Sequence, residues 1–165
     1  MEFYERIKEQ VAELKVKENY QNDGTAFGHF IIKECFSKII DFEYDGNDFD
    51  HYIKDHIVDM ANDLGNDAIF TNQANNEILV FQFKYSKNQL LNTNEIKKNK
   101  RFVDWIIGLS DESLSANHKL QKVIDEELSQ ILTPQNIKDN NFYIILYYID
   151  VDFKGNIKTD INALH

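Results

Sequence analysis

Three polar side chains lie where the sequence predicts two neighbouring β-strands, and together they have the chemistry of a metal-dependent catalyst. Gln82 and Lys84 alternate with apolar residues in the run Leu79–Tyr85, so strand geometry places both on one face. Asp67 stands fifteen residues before Gln82, at the start of the preceding predicted strand. A hairpin between these strands would bring the three side chains to one edge of the sheet.

A carboxylate, an amide oxygen and the backbone carbonyl of Phe83 would form the hard oxygen site that Mg²⁺ or Mn²⁺ prefers. Lysine is almost never buried without a partner, and a buried ammonium group is suited to proton transfer or to positioning a water molecule. The same pattern also fits a strand whose end reaches solvent, with Lys84 extending outward. The pattern alone leaves both interpretations open.

Glu34 is a further acidic candidate. It follows Phe30 and Ile31 by four and three residues, so helical spacing places it on the apolar stripe of its helix. A carboxylate that faces a protein core needs a partner or a function. A position at the margin of the stripe, beside Lys33 or Lys38, explains the residue equally well.

A basic run follows directly on this candidate site, in a chain with 28 acidic and 18 basic residues and a net charge of −10. A nucleic-acid coat protein is usually basic, so any contact with nucleic acid must come from a local patch. Between Lys84 and Arg101 the sequence has one acidic residue, Glu95. We expect five basic residues there to contact phosphate groups: Lys87, Lys97, Lys98, Lys100 and Arg101. A solvated helix face is the alternative.

Hydrophobic spacing predicts the elements that position these residues. The helices are an amphipathic one from Phe3 to Leu14, one from the N-cap Thr25 to about residue 42, and two at 94–109 and 116–132, the last ended by Pro134. We expect an irregular segment around Tyr44–Asp50 and then a helical turn or a strand at His51–Met60. The strands are Asn66–Thr71, Glu77–Tyr85 and Asn141–Val151, with a hairpin into Ile157–Thr159. This order predicts an α/β fold with a mixed central sheet flanked by helices on both faces.

Composition limits the class of protein. A length of 165 residues, 42% of them hydrophobic, fits one domain with a substantial core. A single cysteine excludes a disulfide framework and a cysteine-based zinc finger. No apolar run approaches the ~20 residues of a membrane-spanning helix, and the N-terminus lacks a signal-peptide core. We therefore expect a cytoplasmic protein without a membrane partner.

Three segments resemble the abortive infection phage resistance family. The stretch 59–70 (DMANDLGNDAIF) resembles the "DGGNDxGIDAIYI" segment of that family, and 81–87 (FQFKYSK) resembles its "IQSKYSK" segment. The helix containing Ala26–Phe30 and Glu34 resembles the helix that precedes them. Met60 and Ala61 replace the small glycine-type residues usual in the family, and Asn66 replaces a common isoleucine.

The resemblance implies a nuclease domain of the PD-(D/E)xK superfamily, in the Mrr-like branch where glutamine replaces the middle acid, with a restriction-endonuclease-like core. It implies a metal and catalytic centre of Asp67, Gln82 and Lys84, with Glu34 as an additional acid that binds metal and Asp63 as a recurrent acid. The implied partners are Mg²⁺ or Mn²⁺ and nucleic acid, with DNA favoured, and the implied role is phage defence.

Two further expectations concern the whole protein. Members of the resembled family are several times longer, so residues 1–165 are expected to be the N-terminal, single-domain part of a longer chain, with a homodimer as one option. The alternative function is a nuclease-like module that no longer cleaves and instead binds nucleic acid or another protein. The net charge of −10 and the glutamine in place of an acid favour that alternative.

Overall fold

A computed structural model describes residues 2–40, 49–85, 93–152 and 156–159. Its α-helices are α1 (Glu2–Glu18), α2 (Asp23–Ile31), α3 (Phe49–His56), α4 (Thr93–Ile106), α5 (His118–Val123), α6 (Ser129–Ile131) and α7 (Pro134–Asp139). A π-helical turn, Ile32–Phe36, continues α2, and a second, Ile124–Leu128, joins α5 to α6. The strands are β1 (Ala68–Asn72), β2 (Glu77–Lys84), β3 (Tyr143–Asp152) and β4 (Asn156–Thr159), and a 3₁₀ turn, Gln73–Asn75, connects the first two.

The strands form one mixed sheet in the order β1-β2-β3-β4. The β1–β2 and β3–β4 pairs are antiparallel, and β2–β3 is parallel. In the central register Ala68 lies opposite Phe81, and Lys84 lies opposite Asp150. The predicted α/β fold with a mixed sheet between helices is therefore confirmed.

The two faces of β2 belong to different parts of the core, as its continuous apolar sequence predicts. Leu79 and Phe81 pack with Phe27 of α2 and with residues of α1 and α3. Ile78 and Val80 pack on the opposite face with Phe102 of α4 and with residues of α5 and the following turn. Gln82 and Lys84 follow Ile78 and Val80 in the strand alternation, so they point to the α4 side.

The second helix starts earlier than predicted. Asn22, rather than Thr25, is its N-cap, since the Asn22 side-chain oxygen accepts a bond from the Thr25 backbone N–H at 2.8 Å. Pro134 begins α7 as well as ending the helix before it, and Thr133 caps that new helix. The predicted end of the second helix at about residue 42 lies outside the described residues, as does the predicted irregular segment up to residue 48. The last two residues of that segment, Phe49 and Asp50, instead begin α3.

Among the described helices, none combines the length and the apolar character needed to cross a bilayer.

Candidate metal centre

Asp67 stands immediately before β1 and is fixed by the backbone. Its N–H donates to the Phe81 carbonyl at 2.9 Å, and its own carbonyl accepts from the Val58 N–H at 2.9 Å. The carboxylate oxygen Oδ2 accepts from the Phe83 N–H at 2.6 Å and from the Gln82 side-chain amide at 2.9 Å. Both hydrogen bonds to the Asp67 carboxylate use Oδ2, so Oδ1 stays available to a further ligand.

Three carboxylates converge at this point. One oxygen each from Asp59, Asp63 and Asp67 lies within 4.8 Å of the others. Asp63 is anticipated by the resemblance, but sequence reasoning assigned no role to Asp59. The signal that could have found it is the spacing of the three acids, which stand four positions apart in a segment with two asparagines and one glycine.

The loop 59–67 brings these acids together through unusual backbone conformations. Asn62, Leu64 and Gly65 have positive φ angles of 63°, 56° and 85°. The Gly65 N–H donates to Asp63 Oδ1 at 2.7 Å, which orients that carboxylate. A Cβ on Gly65 would lie 2.6 Å from the Cβ of Lys98, so only glycine lets α4 approach the loop this closely.

Buried asparagines from two helices support the same loop. Asn99 of α4 is 1% exposed and donates to the Gly65 carbonyl at 2.6 Å and to the Asn66 side chain at 2.9 Å. The Tyr148 hydroxyl of β3 donates to the Asn99 side-chain oxygen at 3.0 Å. Asn117, the N-cap of α5, donates to the Val58 carbonyl at 2.9 Å. The carboxylates are thus held by a network whose polar groups are hydrogen-bonded on several sides.

Gln82 contributes an acceptor without a partner. Its side chain is 7% exposed, and its Oε1 is the buried side-chain atom that lacks a hydrogen bond within the described residues. Leaving a buried carbonyl oxygen without a donor costs roughly 1–3 kcal/mol. The same amide group donates to Asp67 Oδ2, so this unpaired oxygen belongs to a side chain next to the acid cluster.

Several of these residues line a cavity of about 170 Å³, which we call the metal cavity. Its lining includes Asp59, Asp67, Gln82 and Lys84, and the first turn of α2 contributes Gly24 and Thr25. The Thr25 hydroxyl also donates to Asp59 Oδ2 at 3.1 Å, which ties α2 to the acid cluster. The structure therefore brings Asp67, Gln82 and Lys84 together, as the strand pattern predicts.

The electrostatics of the cluster favour a cation. Burial raises the pKa of Asp67 to about 8; the Phe83 N–H opposes this, while Asp59 and Asp63 add to it and Lys84 reduces it. Burial also raises the pKa of Asp63, against the hydrogen bond from Gly65 and with a further increase from Asp59. Carboxylates that resist ionisation together become ionised when a divalent cation supplies the missing positive charge.

Lys84 makes an ion pair with Glu95 in the first turn of α4. The side chains of both residues are largely buried, at 20% and 16% exposure. This pair holds the ammonium group at the wall of the metal cavity instead of letting it extend into solvent. The sequence offered Glu95 as an acidic interruption of the basic run, and not as the partner of Lys84.

Glu34 does not join the other three candidates, so its expected place beside them is not what the structure shows. It is exposed and lines surface grooves with Gln10 of α1 and Phe30 of α2. It lies in the π-helical turn Ile32–Phe36, which adds a residue to one turn of the helix. The extra residue shifts the apolar stripe, and simple helical spacing cannot anticipate that shift.

The basic run divides into three groups. Lys100 pairs with Asp104 at 2.6 Å, and the Arg101 guanidinium pairs with Glu112 through two nitrogens. Lys97 and Lys98 are exposed and make no ion pair within the described residues. Lys87 lies outside the described residues.

Comparisons of this chain with models of protein families, with curated proteins and with solved structures give no match.

Proposed function

We propose that this chain is a metal-dependent nuclease domain with a restriction-endonuclease-like core, which hydrolyses phosphodiester bonds of nucleic acid, DNA being the favoured substrate. One observation carries the proposal. Gln82, whose buried amide oxygen has no hydrogen bond within the described residues, lines the same small cavity as Asp67, Asp59 and Lys84. Side-chain oxygens of this kind are the ligands of Mg²⁺ and Mn²⁺.

Asp67, Asp59 and Asp63 would hold the metal ion, with Gln82 supplying a neutral oxygen. A divalent ion bound there supplies Lewis acidity toward a phosphate oxygen and makes a bound water more acidic. Lys84 would position the attacking water or stabilise the charge that develops on the phosphate. The first turn of α2 lines the same cavity, and the helix dipole there favours an anionic ligand.

The proposal includes a role in phage defence, which rests on the resemblance of residues 59–70 and 81–87 alone. The acid cluster, the amide and the lysine support the chemistry, and they carry no information about the biological target.

A second function, a nucleic-acid-binding or interaction module without cleavage, is favoured by one specific observation. Lys84 is held by Glu95, and this contact competes with any role of the ammonium group toward a phosphate or a water. A nuclease requires the pair to open or to tolerate substrate beside it.

Plasmid nicking in Mn²⁺ separates the two functions. We expect the wild-type protein to nick supercoiled DNA with Mn²⁺ and not with EDTA, and Asp67→Ala to lose both nicking and calorimetric Mn²⁺ binding. Asp111→Ala is the matched control, since Asp111 is an exposed aspartate away from the cavity. Mn²⁺ binding without nicking would favour the non-cleaving module, and unchanged Mn²⁺ affinity in Asp67→Ala would refute the metal centre.

A further inference from the structure

A second cavity, of about 250 Å³, lies on the other side of the loop that carries the acid cluster. Residues 62–65 of the loop form one wall, and Lys98, Arg101 and Leu114 form the rest. Asp63 belongs to both places, because it lines this cavity and its carboxylate meets those of Asp59 and Asp67. Asp63 therefore links the second cavity to the acid cluster.

Two cationic side chains of α4 line the second cavity. Lys98 and Arg101 are one turn apart on α4, so both side chains leave the same face of the helix. Lys98 approaches the loop so closely that its Cβ lies 2.6 Å from the position of a Cβ on Gly65. Lys98 makes no ion pair within the described residues, whereas Arg101 is paired with Glu112.

The contact between Arg101 and Glu112 shows how the Arg101 guanidinium would bind an oxyanion. Its Nε and Nη2 donate to the two carboxylate oxygens of Glu112, the first at 2.5 Å. A phosphate group offers the guanidinium the same two-oxygen geometry. The side chains of this pair are 55% and 44% exposed, and an ion pair exposed to water is weak, so a phosphate group can replace the carboxylate.

We propose that the second cavity binds the phosphate group next to the one that is hydrolysed, with Lys98 and Arg101 as its positioning residues. This inference rests on the proposed nuclease function, and it makes the substrate class a polynucleotide rather than an isolated phosphodiester. The volume suits a phosphate with part of its sugar, being below the ~300–1,000 Å³ of typical small-molecule sites. Leu64 and Leu114 would contact the sugar edge.

The test compares two substrates with Mn²⁺: supercoiled plasmid, which has neighbouring phosphates, and bis(4-nitrophenyl) phosphate, which has none. The double variant Lys98→Ala, Arg101→Ala should lower plasmid nicking about tenfold more than it lowers hydrolysis of the small diester. The control double variant Lys97→Ala, Lys100→Ala removes the same charge from the same helix but not from the cavity, and should lower nicking about twofold. Equal losses in the two double variants, or parallel losses on both substrates, would overturn the inference.

A further variant, Glu112→Gln, should strengthen nucleic-acid binding instead of weakening it. It frees Arg101 from its carboxylate partner, so it should strengthen binding of a labelled oligonucleotide several-fold in fluorescence anisotropy with Mn²⁺. Unchanged or weaker binding would count against the cavity.

The same anisotropy assay separates this inference from the proposed function. If the wild-type protein hydrolyses neither substrate, the nuclease function fails, and binding alone decides the cavity. If Lys98→Ala, Arg101→Ala weakens oligonucleotide binding more than the Lys97→Ala, Lys100→Ala control does, the phosphate site is supported. If the two double variants weaken binding equally, the phosphate site is refuted.

Discussion

Replacing Asp67 by asparagine should stabilise the metal-free protein while weakening its hold on metal. The pKa of Asp67 rises from 3.8 to about 8 in the folded protein. The folded state therefore binds more protons than the unfolded state between these two values, so the free energy of unfolding falls as pH rises through this range. Asparagine keeps an oxygen for the Phe83 and Gln82 donors and does not titrate.

The magnitude follows from the shift. Each pH unit between the unfolded pKa and the working pH corresponds to about 1.4 kcal/mol. Ionisation of Asp67 in the unfolded chain therefore lowers the free energy of unfolding by at most about 4 kcal/mol at pH 7. The carboxylate reaches solvent through the metal cavity, which reduces this figure, and we expect a gain of about 2 kcal/mol for Asp67→Asn. The gain should be small at pH 4, grow with pH, and level off above about pH 8.

Urea unfolding in EDTA at pH 4, 5.5, 7 and 8.5 measures this difference, with Asp111→Asn as an exposed control that should show none. Calorimetry with Mn²⁺ should show at least tenfold weaker binding for Asp67→Asn. In the wild type, Mn²⁺ affinity should increase with pH up to about 8, because the metal displaces the Asp67 proton. A variant that is less stable at pH 7, with the same dependence of stability on pH as the wild type, would refute this account of the acid cluster.

Three further substitutions probe the groups around Asp67. Lys84→Ala should leave Mn²⁺ affinity equal or slightly higher, since it removes a positive charge, and should lower plasmid nicking by a factor of about 10²; nicking at the wild-type rate would move the catalytic role elsewhere. Gln82→Glu should tighten Mn²⁺ binding in calorimetry, because a carboxylate is a stronger hard ligand, and should lower stability in EDTA by removing the amide donor to Asp67; weaker Mn²⁺ binding would place Gln82 outside the ligand set. Asn99→Ala should lower the free energy of unfolding in urea by about 2 kcal/mol, because the Gly65 carbonyl loses its donor; a neutral effect would show that the loop does not depend on α4.

Local patterns in the sequence determined the main features of the sheet. The two-sided apolar run around Leu79 and Phe81 identifies a central strand, since both faces of such a strand are buried. The alternation of Gln82 and Lys84 with those residues identifies the face on which they lie. The hairpin with β1 then places Asp67 beside Gln82, since strand register depends on short-range turn geometry and pleat. These properties act over a few neighbouring residues, so they can be read without the fold.

Other features depend on contacts between distant parts of the chain. The position of Asp59 beside Asp63 and Asp67 depends on the left-handed residues of the loop 59–67 and on the asparagines of α4 and α5, which lie 33 or more positions further along. The exposure of Glu34 depends on a π-helical turn, which inserts one residue into an otherwise regular apolar stripe.

The basic residues after β2 also show which features depend on the sequence and which depend on the tertiary structure. The sequence determined that basic residues follow β2, but only the tertiary structure decided which of them keep their charge available. Glu95 and Glu112 reach Lys84 and Arg101 because the packing of α4 brings them there. Ion pairing is a property of distances in space, and neither partner is marked by its position in the sequence.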